Sequence, residues 1–147
     1  TLGRDGARTP LPWAADAPQA GFSSANRTWL RLDPAHVPLA VDRQAADPGS
    51  TLAYARALLR LRRSLPALIA GDISFIDTPE PLLAFVRKDG PSRVLCVFNL
   101  GEEALAWQPP ARLGQATLVA RTEAVGPAPL PLQLAPGCGY WAVLTDM

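Results

Sequence analysis

The sequence predicts a mainly β chain: a C-terminal antiparallel β-sandwich of Greek-key type, preceded by an irregular loop and one amphipathic helix. Three observations carry this reading. From Gly71 onward, short apolar runs with period-two alternation recur between turn residues. Residues 48–65 instead carry apolar side chains at helical spacing. Residues 1–47 hold neither period, and Gly and Pro punctuate them throughout.

The opening stretch, Gly3-Arg4-Asp5-Gly6-Ala7-Arg8-Thr9-Pro10-Leu11-Pro12-Trp13, is a poor helix and a poor strand. Proline removes backbone donors, and glycine weakens both elements. A long irregular segment with a fixed aromatic and arginines is characteristic of a working loop. Farther along, Trp13, Phe22, Trp29, Leu30, Leu32, Val37, Leu39 and Val41 are apolar anchors separated by turn residues. Such a segment is ordered only where it lies against something.

The helix over 48–65 starts at Asp47-Pro48, an N-cap followed by proline at the first helical position, with Ser50 as a second capping site. Tyr54, Leu58, Leu61 and Leu65 share one face, and Arg56, Arg60 and Arg63 the opposite one. Pro66 is expected to stop it. The arginine stripe reads as a solvated face, favoured toward the C-terminus by the macrodipole.

Strands follow at Ile73 and Phe75, Leu83–Arg87, Val94–Phe98, Ala104–Trp107, Ala116–Val119, Leu130–Leu134 and Tyr140–Leu144. Asp89-Gly90 and Pro136-Gly137 are turns, Asn99-Leu100-Gly101 closes a strand, and Pro131 marks an edge. No internal repeat is present.

Composition narrows the function classes. A formal charge of +1 gives no electrostatic footprint for nucleic acid or membrane. No apolar run approaches the ~20 residues of a spanning helix. The N-terminus lacks the basic-then-apolar signal pattern, so the expectation is a cytoplasmic protein, or a signal upstream of residue 1. The two cysteines, Cys96 and Cys138, read as buried reduced thiols. With His36 the single histidine, the sequence offers no metal site, no catalytic triad and no cofactor motif.

The order of blocks then becomes informative. Gly3 to Trp13, Ala20-Gly21-Phe22-Ser23, Trp29-Leu30, Leu39-Ala40-Val41-Asp42-Arg43-Gln44, Asp47-Pro48-Gly49-Ser50, Leu58 to Arg63 and Pro66-Ala67-Leu68 follow one another. This series resembles the α-glucosidase and oligo-1,6-glucosidase branch of the α-amylase superfamily, glycoside hydrolase family 13. The resemblance is dense over residues 1 to about 71 and beyond that is one of order and texture. It implies that the chain is the C-terminal portion of a longer enzyme. Residues 1–70 would be the end of the catalytic (β/α)8 barrel, its last βα loop and last helix. Residues 71–147 would be the C-terminal β-sandwich domain. Active sites of such barrels are built from the loops at the strands' carboxyl ends.

The resemblance further implies retaining hydrolysis of α-glucosidic bonds at non-reducing ends, with an aspartate nucleophile and a glutamic acid/base about 5 Å apart. Both belong to earlier barrel strands. None of the motifs that carry them occurs here, so this chain is expected to hold no catalytic residue and to be inactive alone. The implied substrate-binding residue is Arg8, which in this branch lies at the base of the glucose pocket and pairs with an aspartate from an early barrel loop. A planar guanidinium can donate to a carboxylate and a sugar hydroxyl together; a plain loop-fixing ion pair is the alternative. Arg4 and Asp5 are read as fixing the loop, to each other or to the barrel. Trp13 and Phe22 are read as hydrophobic anchors, with a sugar-stacking platform the alternative. The pattern departs from the family at Ala7, Leu11, Ala14 and Arg31, where Cys, Met, Asp and Pro are usual. Linkage specificity therefore stays open among α-1,4, α-1,6, sucrose and trehalose substrates.

The implied partners are an α-glucoside or a malto- or isomalto-oligosaccharide, and the absent barrel. Two other functions remain for the sandwich. It could be a carbohydrate-binding module presenting an exposed Trp107, or a structural and oligomerisation domain. Trp141, in a strongly apolar strand, is expected in the core. The helix face at Tyr54, Leu58, Leu61 and Leu65, left without a barrel, would forgo roughly 6–12 kcal/mol of burial. Self-association through that face, or a lid formed by the loop folding back, is the expected consequence.

Overall fold

The computed structural model describes residues 3–146. The chain forms two compact units, Thr1–Ala55 and Arg56–Met147.

The first unit contains most of the irregular segment. Its backbone is fastened at a few points. The carbonyl oxygen of Ala20 accepts from the amides of Trp13 and Ala14, at 2.8 and 3.0 Å. The short helix α1, Val41–Ala46, is held by Val41 and Asp42, whose amides donate to the carbonyls of Pro12 and Trp13. The Asp42 carboxylate accepts from the amide of Ala15. Helix α2, Thr51–Ser64, begins in this unit. Its cap is Ser50, whose hydroxyl accepts from the Ala53 amide at 3.1 Å and donates to the Gln44 carbonyl at 2.6 Å. The expected start at Asp47-Pro48 is thus displaced by one turn. The Asp47 carboxylate instead accepts from the Gly49 amide and shapes the turn that delivers Ser50.

The predicted faces of α2 hold. Tyr54, Leu58 and Leu61 are half-buried, and Arg56, Arg60 and Arg63 are exposed. Pro66 does end α2, since Leu65 before it is forced to extended backbone (φ −117°, ψ 98°). It also starts another helix, α3, Pro66–Ala70, because proline is well suited to a first helical position. The single helix expected from the sequence is therefore accompanied by two short ones.

The second unit is an antiparallel β-sandwich. Its strands are β1 (Asp72–Ile76), β2 (Leu82–Asp89), β3 (Ser92–Asn99), β4 (Leu105–Ala106), β5 (Gln115–Arg121), β6 (Ala124–Ala128), β7 (Gln133–Leu134) and β8 (Gly139–Thr145). Six of them form one sheet in the order β1-β2-β3-β8-β5-β6, and β4 pairs with β7 in a second. After β3 the chain crosses to the small sheet, returns through β5 and β6, crosses again at β7, and inserts β8 between β3 and β5. This is the Greek-key kind of crossover.

The core lies between the sheets. Leu82, Ala84, Leu95, Val97, Leu118, Tyr140, Ala142 and Leu144 from the large sheet meet Leu134 from β7. These are alternate residues of each strand, as a sheet with one face on a core requires. The other face carries Val94, Cys96, Phe85, Phe98 and Trp141 and is covered in part by Ala67 and Leu68 of α3. Gly71 is needed where α3 turns into β1. A Cβ there would stand 2.6 Å from the Ala67 carbonyl oxygen and 2.9 Å from that of Lys88.

Two strand expectations are corrected. Leu130–Leu134 is extended only at its end, so Pro131 is not within a strand. Strand β6 was missed because Val125-Gly126-Pro127 reads as a turn. Trp107 was expected to be exposed; it is half-buried and packs against the core between the sheets. Trp141 packs edge-to-face on Phe98, ring centroids 5.5 Å apart.

Candidate functional site

The candidate site is the segment of residues 3–40 in the first unit. Arg4 and Asp5 sit in a 3₁₀ turn, Arg4–Ala7, and both are exposed. The turn is closed by the Arg8 amide, which donates to the Asp5 carbonyl at 3.0 Å. Arg8 itself is exposed. Among the described residues the ion pairs are Arg43–Asp16 and Arg93–Asp146, and neither involves Arg4, Asp5 or Arg8. Asp5 shapes this loop through its backbone carbonyl, with no ion pair to Arg4.

From Thr9 onward the segment is also held by burial and by side-chain hydrogen bonds. Pro10 and Pro12 are buried. Thr9 Oγ1 lies 3.3 Å from His36 Nδ1, which links the opening block to the 3₁₀ helix Pro34–Leu39. That helix is capped by Asp33, whose carboxylate accepts from the Ala35 amide at 2.9 Å. Thr9, Arg31, Asp33 and Pro34 line an open cleft of about 380 Å³. Polar groups of both signs thus gather around Thr9, the residue next to Arg8.

Trp13 and Phe22 are fixed through their backbones and leave their rings half in water, 52% and 49% exposed. The Trp13 amide and carbonyl are both bonded, and the Phe22 amide donates to the Gln19 carbonyl. Between these two aromatics the chain makes a left-handed turn. Gln19, Ala20 and Gly21 have φ of 52°, 47° and 70°. For the two non-glycine residues this conformation costs roughly 1–2 kcal/mol each. It persists because Ala20 is buried at 3% exposure and its carbonyl carries two hydrogen bonds. Strain held in place by its surroundings marks a segment whose shape matters.

Arg8, Trp13 and Phe22 were legible in the sequence as members of one block. The left-handed pair Gln19-Ala20 was not, since neither residue signals a positive φ. Arg31, Asp33 and His36 were also missed as cleft and loop-bridging residues, because they lie more than twenty positions from Arg8.

The second unit gathers Ser74, Lys88, Arg93, Arg112 and Asp146 around an open cleft of about 480 Å³, where Arg93 and Asp146 are ion-paired at 2.7 Å. Its apolar cavity, about 270 Å³, lies among Leu58, Leu61, Leu68, Phe85 and Trp141. Among the described residues no group of three or more His, Cys, Asp or Glu side chains could hold a metal ion. No described helix is long and apolar enough to cross a membrane.

Comparison with known proteins adds the following. Residues 1–71 match the family model described as α-amylase, catalytic domain. The chain is 43% identical over 110 residues to a probable α-glucosidase of Rhizobium meliloti, a match covering 75% of this chain and 20% of that protein. It is 35% identical over 102 residues to a glucan 1,6-α-glucosidase of Streptococcus pneumoniae, covering 69% of this chain and 19% of the other. Among solved structures, an α-glucosyl transfer enzyme superposes with a TM-score of 0.76 at 38% identity, over 97% of this chain and 26% of that one. The chain spans about a fifth of the length of these curated relatives.

Proposed function

From the match of residues 1–71 to the α-amylase catalytic-domain model, we propose that the chain is the C-terminal part of a retaining α-glucosidase. Residues 1–70 complete the rim of the catalytic barrel, and residues 71–147 form a stabilising β domain. The aspartate nucleophile and the glutamic acid/base lie on preceding polypeptide. The substrate is an α-glucoside or a malto- or isomalto-oligosaccharide, entered from its non-reducing end.

One observation carries this reading: the guanidinium of Arg8 is exposed and takes part in no ion pair among the described residues, on a loop that is otherwise fastened. No described residue forms an ion pair with the Arg8 side chain. Arg8 is available to a carboxylate and a sugar hydroxyl brought from outside. A guanidinium offers five donors in a planar fork, so it can hold both at once. The pair would close the base of the pocket and admit only a chain end. The half-exposed rings of Trp13 and Phe22, held by the strained turn between them, would face the same rim.

The carbohydrate-module reading of the sandwich loses its support, since Trp107 packs on the core and Trp141 on Phe98.

The test is Arg8→Ala in the enzyme that contains this segment, assayed on an α-glucoside. The expected loss is roughly 100-fold in kcat/KM, the scale of a lost charge-assisted pair, with an unchanged melting temperature. Arg8→Lys should recover little, because a point charge lacks the fork. Unchanged kinetics would reduce Arg8 to scaffolding. Hydrolysis by the 147-residue chain alone would show that the reacting acids are already within it.

A further inference from the structure

We propose that β1 is a self-pairing edge: the β1 strands of two copies run antiparallel about a two-fold axis at Ser74 and join two six-stranded sheets into one. This goes beyond the assignment to a glucosidase and does not depend on it.

The sheet order leaves two edges, β1 and β6. Any edge presents a row of unpaired backbone donors and acceptors that another strand can satisfy. The β6 edge is blunted. It contains Gly126 and Pro127, and its pairing with β5 shifts register between Leu118 and Ala120. Proline cannot donate to a ladder, and a bulge turns the edge away. The β1 edge has no such device. Asp72-Ile73-Ser74-Phe75-Ile76 holds no Pro, Gly or Lys, and it pairs with β2 over five consecutive residues, from Asp72–Lys88 to Ile76–Ala84.

The side chains at this edge are unfinished as well. Phe75, 73% exposed, is the outermost ring of a row that runs through Phe85 and Phe98 to Trp141, with centroid spacings of 5.9, 6.0 and 5.5 Å. Ile73, on the same face, is 51% exposed. The row ends in water where the sheet ends.

A second copy fits because β1 is complementary to itself. An axis at Ser74 sets Ser74 opposite its mate, Ile73 opposite the mate's Phe75, and Asp72 opposite the mate's Ile76. It is the centre that pairs all five residues. Aliphatic–aromatic pairs across strands are favourable. Charge agrees with it: Asp72 meets no acidic residue of the other copy and already stands across from Lys88 in its own sheet. The axis also meets the closed symmetry of most homodimers.

Sedimentation equilibrium on the 147-residue chain tests this. A concentration-dependent species of twice the 15.6 kDa chain mass is expected. Phe75→Lys should abolish it with an unchanged circular dichroism spectrum, whereas Leu58→Lys, on α2, should leave it intact. Position is read by cysteine cross-linking in a Cys138→Ser background. Antiparallel partners lie about 4.5–5.5 Å apart, within disulfide reach. Ser74→Cys should therefore give a covalent dimer under mild oxidation, and Asp72→Cys, four positions from its own mate, should not. A monomer at all concentrations overturns the proposal. So does a dimer that survives Phe75→Lys but not Leu58→Lys, or cross-linking through Asp72→Cys and not Ser74→Cys. If Phe75→Lys fails to fold, the cross-linking pair decides alone.

Discussion

The side-chain amide of Asn99 donates to the carbonyl oxygen of Leu134 at 3.0 Å, tying the end of β3 to β7 in the opposite sheet. The same nitrogen reaches the carbonyls of Glu103 and Ala135 at 2.7 and 3.2 Å, and the side-chain oxygen accepts from the Gly101 amide at 2.9 Å. Asn99 has no exposed surface. A buried polar network of this kind stabilises only while each member is satisfied. Asn99→Leu takes the side-chain donor from the Glu103, Leu134 and Ala135 carbonyls, of which Ala135 keeps its bond from the Cys138 amide, and takes the acceptor from the Gly101 amide; each buried group left unpaired costs about 1–3 kcal/mol. Some will recruit water, so a net loss of roughly 3 kcal/mol is expected in urea denaturation. Asn99→Asp should do worse at neutral pH, because its carboxylate would face carbonyl oxygens. A loss under 1 kcal/mol for Asn99→Leu would mean that the hub is decorative.

The cap of α2 gives a second expectation. Ser50 is 9% exposed and bonds both the Ala53 amide and the Gln44 carbonyl. Ser50→Ala removes a cap worth about 1–2 kcal/mol and also frees Gln44, which accepts from the Leu52 amide through its side chain. Hydrogen exchange at Ala53 should accelerate roughly tenfold. Pro48→Ala, at the position expected from the sequence to open the helix, should change little. The reverse ranking would restore Asp47-Pro48 as the true start.

These two sites mark the limits of what the sequence disclosed. The helix face and strands β1, β2, β3, β5 and β8 follow from periodicity, because burial on one face imposes a period and leaves it readable. Asn99 looked like a turn residue, since its role comes from carbonyls 35 and 36 positions away. Ser50 and Asp47 were both competent caps, and only the bond to Gln44 chose between them. Strand β6 is held by register with β5, against its own Gly-Pro composition. In the candidate site, Arg8 and Trp13 were visible through a motif. The cleft at Arg31 and Asp33 was not, because only the folded loop brings them beside Thr9.

The left-handed turn that separates Trp13 from Phe22 can be tested at Gly21. Its φ is +70°, and a Cβ there would stand 3.1 Å from the Ala14 amide nitrogen and 3.2 Å from the Ala14 Cβ. Gly21→Ala adds both backbone strain and crowding, about 1–2 kcal/mol. The damage should be local. Exchange of the Trp13 and Ala14 amides, which share the Ala20 carbonyl, should quicken by roughly tenfold while amides of β3 and β8 stay protected. Equal acceleration throughout would mean that the turn is part of one cooperative fold.

Alkaline pH probes the core of the β unit through two groups that burial keeps neutral. Desolvation lifts the Cys96 thiol from its ordinary 9.0 to about 12, an effect that the nearby Arg87 cation tempers. Desolvation likewise lifts Tyr140 from 10.0 to about 12. In the unfolded chain both would ionise at their ordinary values. The folded form therefore holds protons that the unfolded form releases, and stability falls as pH rises. The contribution is complete below pH 9, declines from there, and is exhausted near pH 12. A loss of roughly 2–3 kcal/mol between pH 9 and 11 is expected. The two groups separate by onset. Cys96→Val should remove the part that begins at pH 9, and Tyr140→Phe the part that begins at pH 10. A wild-type stability flat from pH 8 to 12 would mean that neither group is held neutral by the fold.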